Sequence, residues 1–336
     1  MGSGVPEVYG DCGWVMILDC HVHVSAFDPN HGSMSAKIRG SLPFTFMRWH
    51  FGLKGSDAET ERQLEKLLVN TIEGARELDG AVVLAFDAVH DREGNIDLPS
   101  THLYVTNDYV IELASRYPNV LFGASIHPYR KDAVAEVERC VAAGAVLVKW
   151  LPITQKFNPA DPRCIPFYEA LAHHGIPLLS HTGWEHVLPS LDPSVADPML
   201  LLEALKRGVR VIAAHCGTRL FPWEIDYLPN WSQLAREYEH FFGDTAALNV
   251  PNRWYAFDTI LADPLLRKKL VHGSDWPVVA IPPPGRLGAK LAMEMMSESN
   301  WMRRDVLIKR KLGFEDDYWH RAASLLRIPE GKQLTK

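Results

Sequence analysis

The chain is poor in the features that several functional classes require. Its 336 residues include only five cysteines, Cys12, Cys20, Cys140, Cys164 and Cys216, with no Cys-x-x-Cys pair. An odd, scattered set argues against a disulfide framework and for a reducing compartment. No apolar run approaches the roughly 20 residues needed to cross a bilayer. Positive charge is in deficit, with 35 Lys and Arg against 41 Asp and Glu and a net charge of −6. Without a basic stripe there is no electrostatic footprint for nucleic acid. The first residues, Met1-Gly2-Ser3-Gly4-Val5-Pro6, lack the basic region of a secretory signal, and Pro6 breaks the myristoylation pattern. A cytoplasmic location is expected. Also missing are a Gly-x-Ser-x-Gly elbow, a phosphate-binding Gly-x-x-x-x-Gly-Lys and a His-Glu-x-x-His helix, each the mark of another catalytic machinery.

What the sequence does have is a regular beat. Short runs rich in Val, Ile, Leu and Ala predict strands over 14–20, 81–87, 120–126, 145–150, 176–181, 209–215, about 243–248 and 270–275. Helical patterns fall between them over 57–79, 105–117, 131–143, 164–174, 198–207 and 231–241. Asn107-Asp108 and Asp132 are suitable helix starts, and Gly144, Gly175 and Gly208 stand where helices end. Continuous apolar strands alternating with helices imply a parallel sheet covered on both faces. Eight such units fit a closed α/β barrel, the (β/α)8 or TIM barrel, as one domain over 14–330. A doubly wound open sheet is the competitor, but four strand ends are hard to gather at its single crevice. Two insertions break the beat. Residues 24–56, rich in aromatics, are read as a lid or as a loop tucked against the barrel, and 277–300 follow the last strand. Residues 301–330 are read as C-terminal helices.

Potential metal ligands recur at the ends of these strands. His21 and His23 are two apart, so on a strand they face the same side. His181, His215 and Asp275 end later runs, with 34 residues from His181 to His215 and 60 from there to Asp275, close to one and two strand–helix units. Each histidine alone is more often structural, and the spacing of the set is what carries the reading. Neutral imidazoles and a carboxylate suit Zn²⁺, Mn²⁺ or Fe²⁺. Lys149 lies one unit before His181. Its bland reading is a lysine paired with a carboxylate; its functional reading is a lysine carboxylated by CO₂, able to bridge two metals. By strand alternation Cys20 should face the helix layer, and Asp19 should share the face of His21 and His23 and orient a ligand from below. His272 is expected to face away from the site. Trp150 should pack between barrel and helices.

With these residues in view, the chain resembles the amidohydrolase superfamily, and its amidohydrolase-2 branch in particular. The resemblance runs from Leu18-Asp19-Cys20-His21-Val22-His23 through Ser180-His181-Thr182-Gly183 and Ala214-His215-Cys216-Gly217 to His272-Gly273-Ser274-Asp275-Trp276-Pro277. A final helix, Tyr318 to Leu326, is similar as well. The resemblance implies His21, His23, His181 and Asp275 as ligands, with Asp275 also moving protons. It implies that His215 binds a second metal or polarises the substrate, and one or two ions, most readily Zn²⁺. The implied activity is metal-dependent hydrolysis of an amide, ester or lactone carbonyl in a small molecule. Non-oxidative decarboxylation is the runner-up, and a metal-binding barrel without turnover is the non-enzymatic alternative. Substrate contacts are expected from Arg48, Trp184, Arg219 and Trp276. The expected partner is the small-molecule substrate alone, with self-association left open.

Overall fold

The computed structural model describes residues 16–332 and 334. Cys12, the first two residues of the strand expected from 14, and the N-terminal segment lie outside them. Among the described residues ten strands are formed: β1 Leu18–His23, β2 Gly32–Met34, β3 Gly80–Leu84, β4 Leu103–Val105, β5 Val120–Ser125, β6 Leu147–Trp150, β7 Leu178–His181, β8 Val211–Ala214, β9 Phe241–Asp244 and β10 Leu270–Val271. Eight of them run parallel in the order β1-β3-β5-β6-β7-β8-β9-β10. The sheet then closes on itself. The amides of Cys20 and His23 donate to the carbonyls of His272 and Trp276, and Asp275 donates back to His21. This is the expected eight-stranded barrel, with helices in the connections.

Two apolar layers hold it. Inside the barrel, Leu18, Val82, Leu84, Leu147, Leu179, Ile212 and Val271 form one cluster, sealed at the bottom by Ala322 and Leu325 of the last helix and by Leu326 just after it. Outside it, the alternate residues of the same strands, such as Val83, Phe122, Val148, Val211 and Ala213, pack under the helices. Trp150 belongs to this outer layer, stacked on Phe167 with its indole N–H donated to the Ile126 carbonyl. Helix boundaries follow local chemistry. Ser56 and Glu59 form a reciprocal capping box on the helix Asp57–Gly74. Thr106, one residue before the expected start, caps the helix Asn107–Arg116. Gly144, Gly175 and Gly208 do end helices, all with positive φ.

The insertion over 24–56 is ordered. β2 pairs antiparallel with β4, and the helix Leu42–His50 crosses above the barrel mouth. It has a small core of its own, in which Phe27, Met34, Ile38 and Phe44 pack on Leu64. Glu61 ties its start down by accepting the amides of Phe27 and Asp28 and pairing with His31. Among the described residues, no helix is long and apolar enough to cross a membrane.

Candidate metal centre

The site begins with an irregularity in β1. Asp19 pairs with Ala81 and Val22 with Val83, so two residues, Cys20 and His21, oppose the single Val82. This is a β-bulge, and it turns both residues inward. The expectation that Cys20 faces the helices is therefore corrected: it packs in the inner cluster with Leu18 and Leu84, beneath the site. Asp19 is corrected too. Its carboxylate touches no ligand ring but accepts the amides of His21 and Ser274, fastening together the two chain segments that carry the ligands. Burial raises the Asp19 carboxyl to about 7, against the pull of those hydrogen bonds.

Above the bulge the donors converge. His21 Nε2 lies 3.1 Å from His23 Nε2 and 3.3 Å from Asp275 Oδ1, and His23 Nε2 lies 3.1 Å from the same oxygen. Lys149 Nζ is 3.1 Å from His21 Nε2. The His215 ring stacks on His21 at 5.4 Å and meets His181 edge-on at 4.9 Å. Ligand atoms of His21, His215 and Asp275 fall within 4.8 Å of one another, a spacing that a metal ion could span. All six residues expected from the sequence thus meet at one place. His272 faces away, within reach of the Tyr318 hydroxyl.

The imidazoles are oriented from behind. Asp244 Oδ2 lies 2.6 Å from His21 Nδ1, so that nitrogen carries the proton and Nε2 offers its lone pair to the site. The other Asp244 oxygen accepts the His215 amide, and His215 Nδ1 donates to the Ala246 carbonyl. Two ligand-bearing turns adopt left-handed backbone, His215 at φ 59° with Cys216 at 53°, and Asp275 at 66°. Such conformations cost about 1–3 kcal/mol each in non-glycine residues and persist only where neighbours enforce them. Here Asp244 and the Asp275-to-His21 backbone bond supply that enforcement. Asp244 is the functional residue that the sequence reading misses: the strand expected over about 243–248 begins two residues late, which puts Asp244 at its start instead of its end.

Charge states follow from burial. Desolvation holds His21, His181 and His215 well below the usual imidazole range, and the Lys149 and Arg253 cations reinforce it, so all three stay neutral. Burial would raise Asp275, but His21, His23 and Lys149 outweigh it and keep the carboxylate ionised. Lys149 falls to about 8 through burial, opposed by Asp244 and Asp275.

A cavity of about 290 Å³ opens over this cluster. His23, His181, Glu185, His215 and Asp275 form its polar floor, and Met34, Ile38, Phe44, Phe46 and Met47 from the insertion form part of its roof. The residues expected to touch substrate are placed differently. Arg48 is exposed on the helix and does not line the cavity. Trp184 donates its indole N–H to the Ile225 carbonyl. Arg219 lies over Tyr255 and bonds to the Pro222 carbonyl. Trp276 is buried in the outer layer, where its backbone closes the barrel. Strand-end position suggests proximity for Trp184, Arg219 and Trp276, and the covering insertion suggests it for Arg48, but the turns after β7, β8 and β10 carry the first three side chains to other partners. Glu185 instead lines the cavity, on an irregular segment that strand periodicity does not mark.

Fold and site define the class, a (β/α)8 barrel with a His-His-Asp cluster that could hold a metal ion at the C-terminal strand ends. The family model Amidohydro_2, described as Amidohydrolase, matches residues 18–293, and the chain belongs to that family. Among solved structures, an uncharacterized TIM-barrel protein from Bordetella bronchiseptica is 17% identical with a TM-score of 0.60, covering 92% of this chain and 96% of its own. A probable 2-pyrone-4,6-dicarboxylic acid hydrolase from Acinetobacter baumannii is 14% identical, with a TM-score of 0.54 over 93% and 96%. The 5-carboxyvanillate decarboxylase of Sphingomonas paucimobilis is 15% identical, with a TM-score of 0.54 over 94% and 100%. At these identities the likeness is one of fold. A search of curated proteins finds no match.

Proposed function

We propose that this chain is a metal-dependent hydrolase acting on the amide, ester or lactone carbonyl of a small molecule. The observation that carries the proposal is the convergence of His21 Nε2, His23 Nε2 and Asp275 Oδ1 within 3.1–3.3 Å beneath the cavity. The residues fit a divalent cation. His181 Nε2 is buried with no hydrogen-bond partner, a costly state for an imidazole nitrogen that a cation relieves. His21, His23, His181 and Asp275 would hold the ion, and Zn²⁺ suits this donor set. Bound there, it would supply an acidified water and a Lewis acid for the carbonyl oxygen.

The chain's own groups do the rest. Asp275, held ionised, accepts a proton from the attacking water and passes it to the leaving group. His215 is neutral, with Nδ1–H fixed on Ala246, so its other nitrogen is free to bind a second ion or to polarise the substrate. Lys149 at about 8 keeps an appreciable fraction of neutral amine near neutrality. That amine can attack CO₂, forming an N–C bond and releasing a proton, and the resulting carbamate would bridge two ions. The insertion excludes water above the reacting atoms.

Decarboxylation on the same scaffold is the second reading. The apolar roof of Met34, Ile38, Phe44 and Met47 favours it, because a carboxylate deprived of water gains from leaving as CO₂. One experiment separates the two. Metal-replete protein is offered a panel of esters and lactones, and a panel of aromatic acids, with acid production and CO₂ release both followed. Acid release from the first panel supports the hydrolase; CO₂ from the second with none from the first replaces it by the decarboxylase.

A further inference from the structure

The helix Leu42–His50 turns Pro43, Phe44 and Met47 toward the cavity. Its outer face is apolar as well. Leu42, Phe46 and Trp49 are 85%, 50% and 75% exposed, and their i, i+4, i+7 spacing sets them in one stripe. The Phe46 and Trp49 rings lie 6.0 Å apart, so these are neighbours and not scattered side chains. Phe46 and Val187 border the cavity together, and on the Val187 side Trp223 and Ile225 are exposed too. The two loops that carry these residues are joined by the His186–Glu224 pair. Apolar surface grouped in this way marks a docking face.

Charge says what docks there. Residues 36–54 hold four basic side chains, Lys37, Arg39, Arg48 and Lys54, and no acidic one, in a chain of net charge −6. Asp57 neutralises Arg39. Lys37, Arg48 and Lys54 are exposed and form no ion pair among the described residues. On the facing rim Glu224 is turned inward onto His186 and the amides of Leu220 and Phe221, and Asp226 accepts the Tyr255 hydroxyl. The face is thus apolar and basic. A second copy suits it poorly, because a two-fold interface sets the same patch against itself and would oppose these cations to one another. An anionic lipid surface suits both features. Bulky Leu, Phe and Trp side chains enter the headgroup boundary, while Lys and Arg meet the charged headgroups.

We propose that the outer face of the helix Leu42–His50 and the facing rim dock on anionic lipid, lying on it without spanning it, so that the cavity mouth opens against the lipid. The proposal concerns the surface alone and holds whichever reaction the site performs.

Sedimentation with sucrose-loaded vesicles tests it, using phosphatidylcholine alone and phosphatidylcholine with about 30% phosphatidylserine. Wild type should bind the anionic vesicles at least about 10-fold more tightly than the neutral ones, and lose that preference at about 1 M salt. Leu42→Ser/Trp49→Ser should weaken binding to the anionic vesicles at least about 10-fold, the scale of two apolar side chains returned to water. Lys37→Gln/Arg48→Gln/Lys54→Gln should lose roughly 5-fold per charge on the same vesicles, with binding to the neutral ones unchanged. Every substituted side chain is exposed, and circular dichroism checks folding; should one variant fail to fold, the other decides. No binding by wild type, equal binding to the two vesicle types, or undiminished binding by either folded variant would overturn the proposal. A wild-type dimer in light scattering that Leu42→Ser/Trp49→Ser converts to monomer would assign the face to a second copy, and overturns it too.

Discussion

The strand ends that carry the ligands and the insertion that covers them are built on opposite terms. At the strand ends buried carboxylates fasten the ligand-bearing segments to one another. Asp244 bonds to both His21 and His215, and Asp19 clamps the backbone of His21 to that of Ser274. The insertion is attached at its edge, through the β2–β4 pairing, its own small core and the Glu61 tether, and it leaves Leu42 and Trp49 at 85% and 75% exposure. The first arrangement fixes atoms where chemistry needs them to a fraction of an ångström; the second can adapt to what it covers. Rigidity and adaptability are thus assigned to different pieces of chain. Changes at the strand ends should act on metal and turnover, and changes in the insertion on apparent affinity.

The largest effect is expected from Lys149→Ala. It should lower metal content and activity together, and formate or acetate should restore part of both by standing in for a carbamate. Activity and metal retained without the added acid would show that Lys149 is a structural lysine. Next comes Asp244→Asn. Removing an orienting carboxylate from a ligand histidine typically weakens metal binding by about 10- to 100-fold, and competition with a chelating dye would read this directly. An unchanged affinity would mean that Asp244 serves only to brace the His215 turn.

Asp19→Asn sharpens the comparison through pH. The folded Asp19 keeps its proton up to about 7, against an ordinary value of 3.8. Between those values the folded state binds more protons than the unfolded one, so the Asp19 contribution is intact below pH 4 and is lost as pH rises through 7. An asparagine can still accept both amides and does not titrate. Relative to wild type, Asp19→Asn should therefore gain thermal stability as pH rises from 4 to 7, in melts recorded with chelator present. A constant offset across that range would contradict the burial argument. The smallest effects belong to the insertion. Phe44→Ala removes an apolar wall and should raise KM for apolar substrates by about 10-fold, the scale of one lost apolar contact, with kcat nearly unchanged. Arg48→Ala should change neither.

The same contrast governs what could be read from the sequence. Barrel strands and ligands were legible because parallel strands buried on both faces need continuous apolar runs, and His21, His23, His181, His215 and Asp275 punctuate those runs at their ends. Lys149 was legible for the same reason. Asp19 and Cys20 were misplaced because alternation presumes an unbroken strand, and no residue type announces a bulge opposite Val82. Asp244 escapes because Phe241 reads as the end of the preceding helical pattern over 231–241, which displaces the expected strand to about 243. Trp184, Arg219 and Trp276 are near strand ends along the chain, and Arg48 is in the covering insertion. Beyond a strand end, direction is set by turns such as the left-handed His215-Cys216 pair, which the residue names do not encode.

The central claim is that His21, His23, His181 and Asp275 form a metal centre, and elemental analysis tests it most directly. Wild-type protein and a His21→Ala/His23→Ala variant are purified side by side without added chelator and analysed for transition metals against protein concentration. At least one equivalent of a divalent metal in wild type, and almost none in a folded variant, is the predicted result. Equal metal in both proteins would contradict the account.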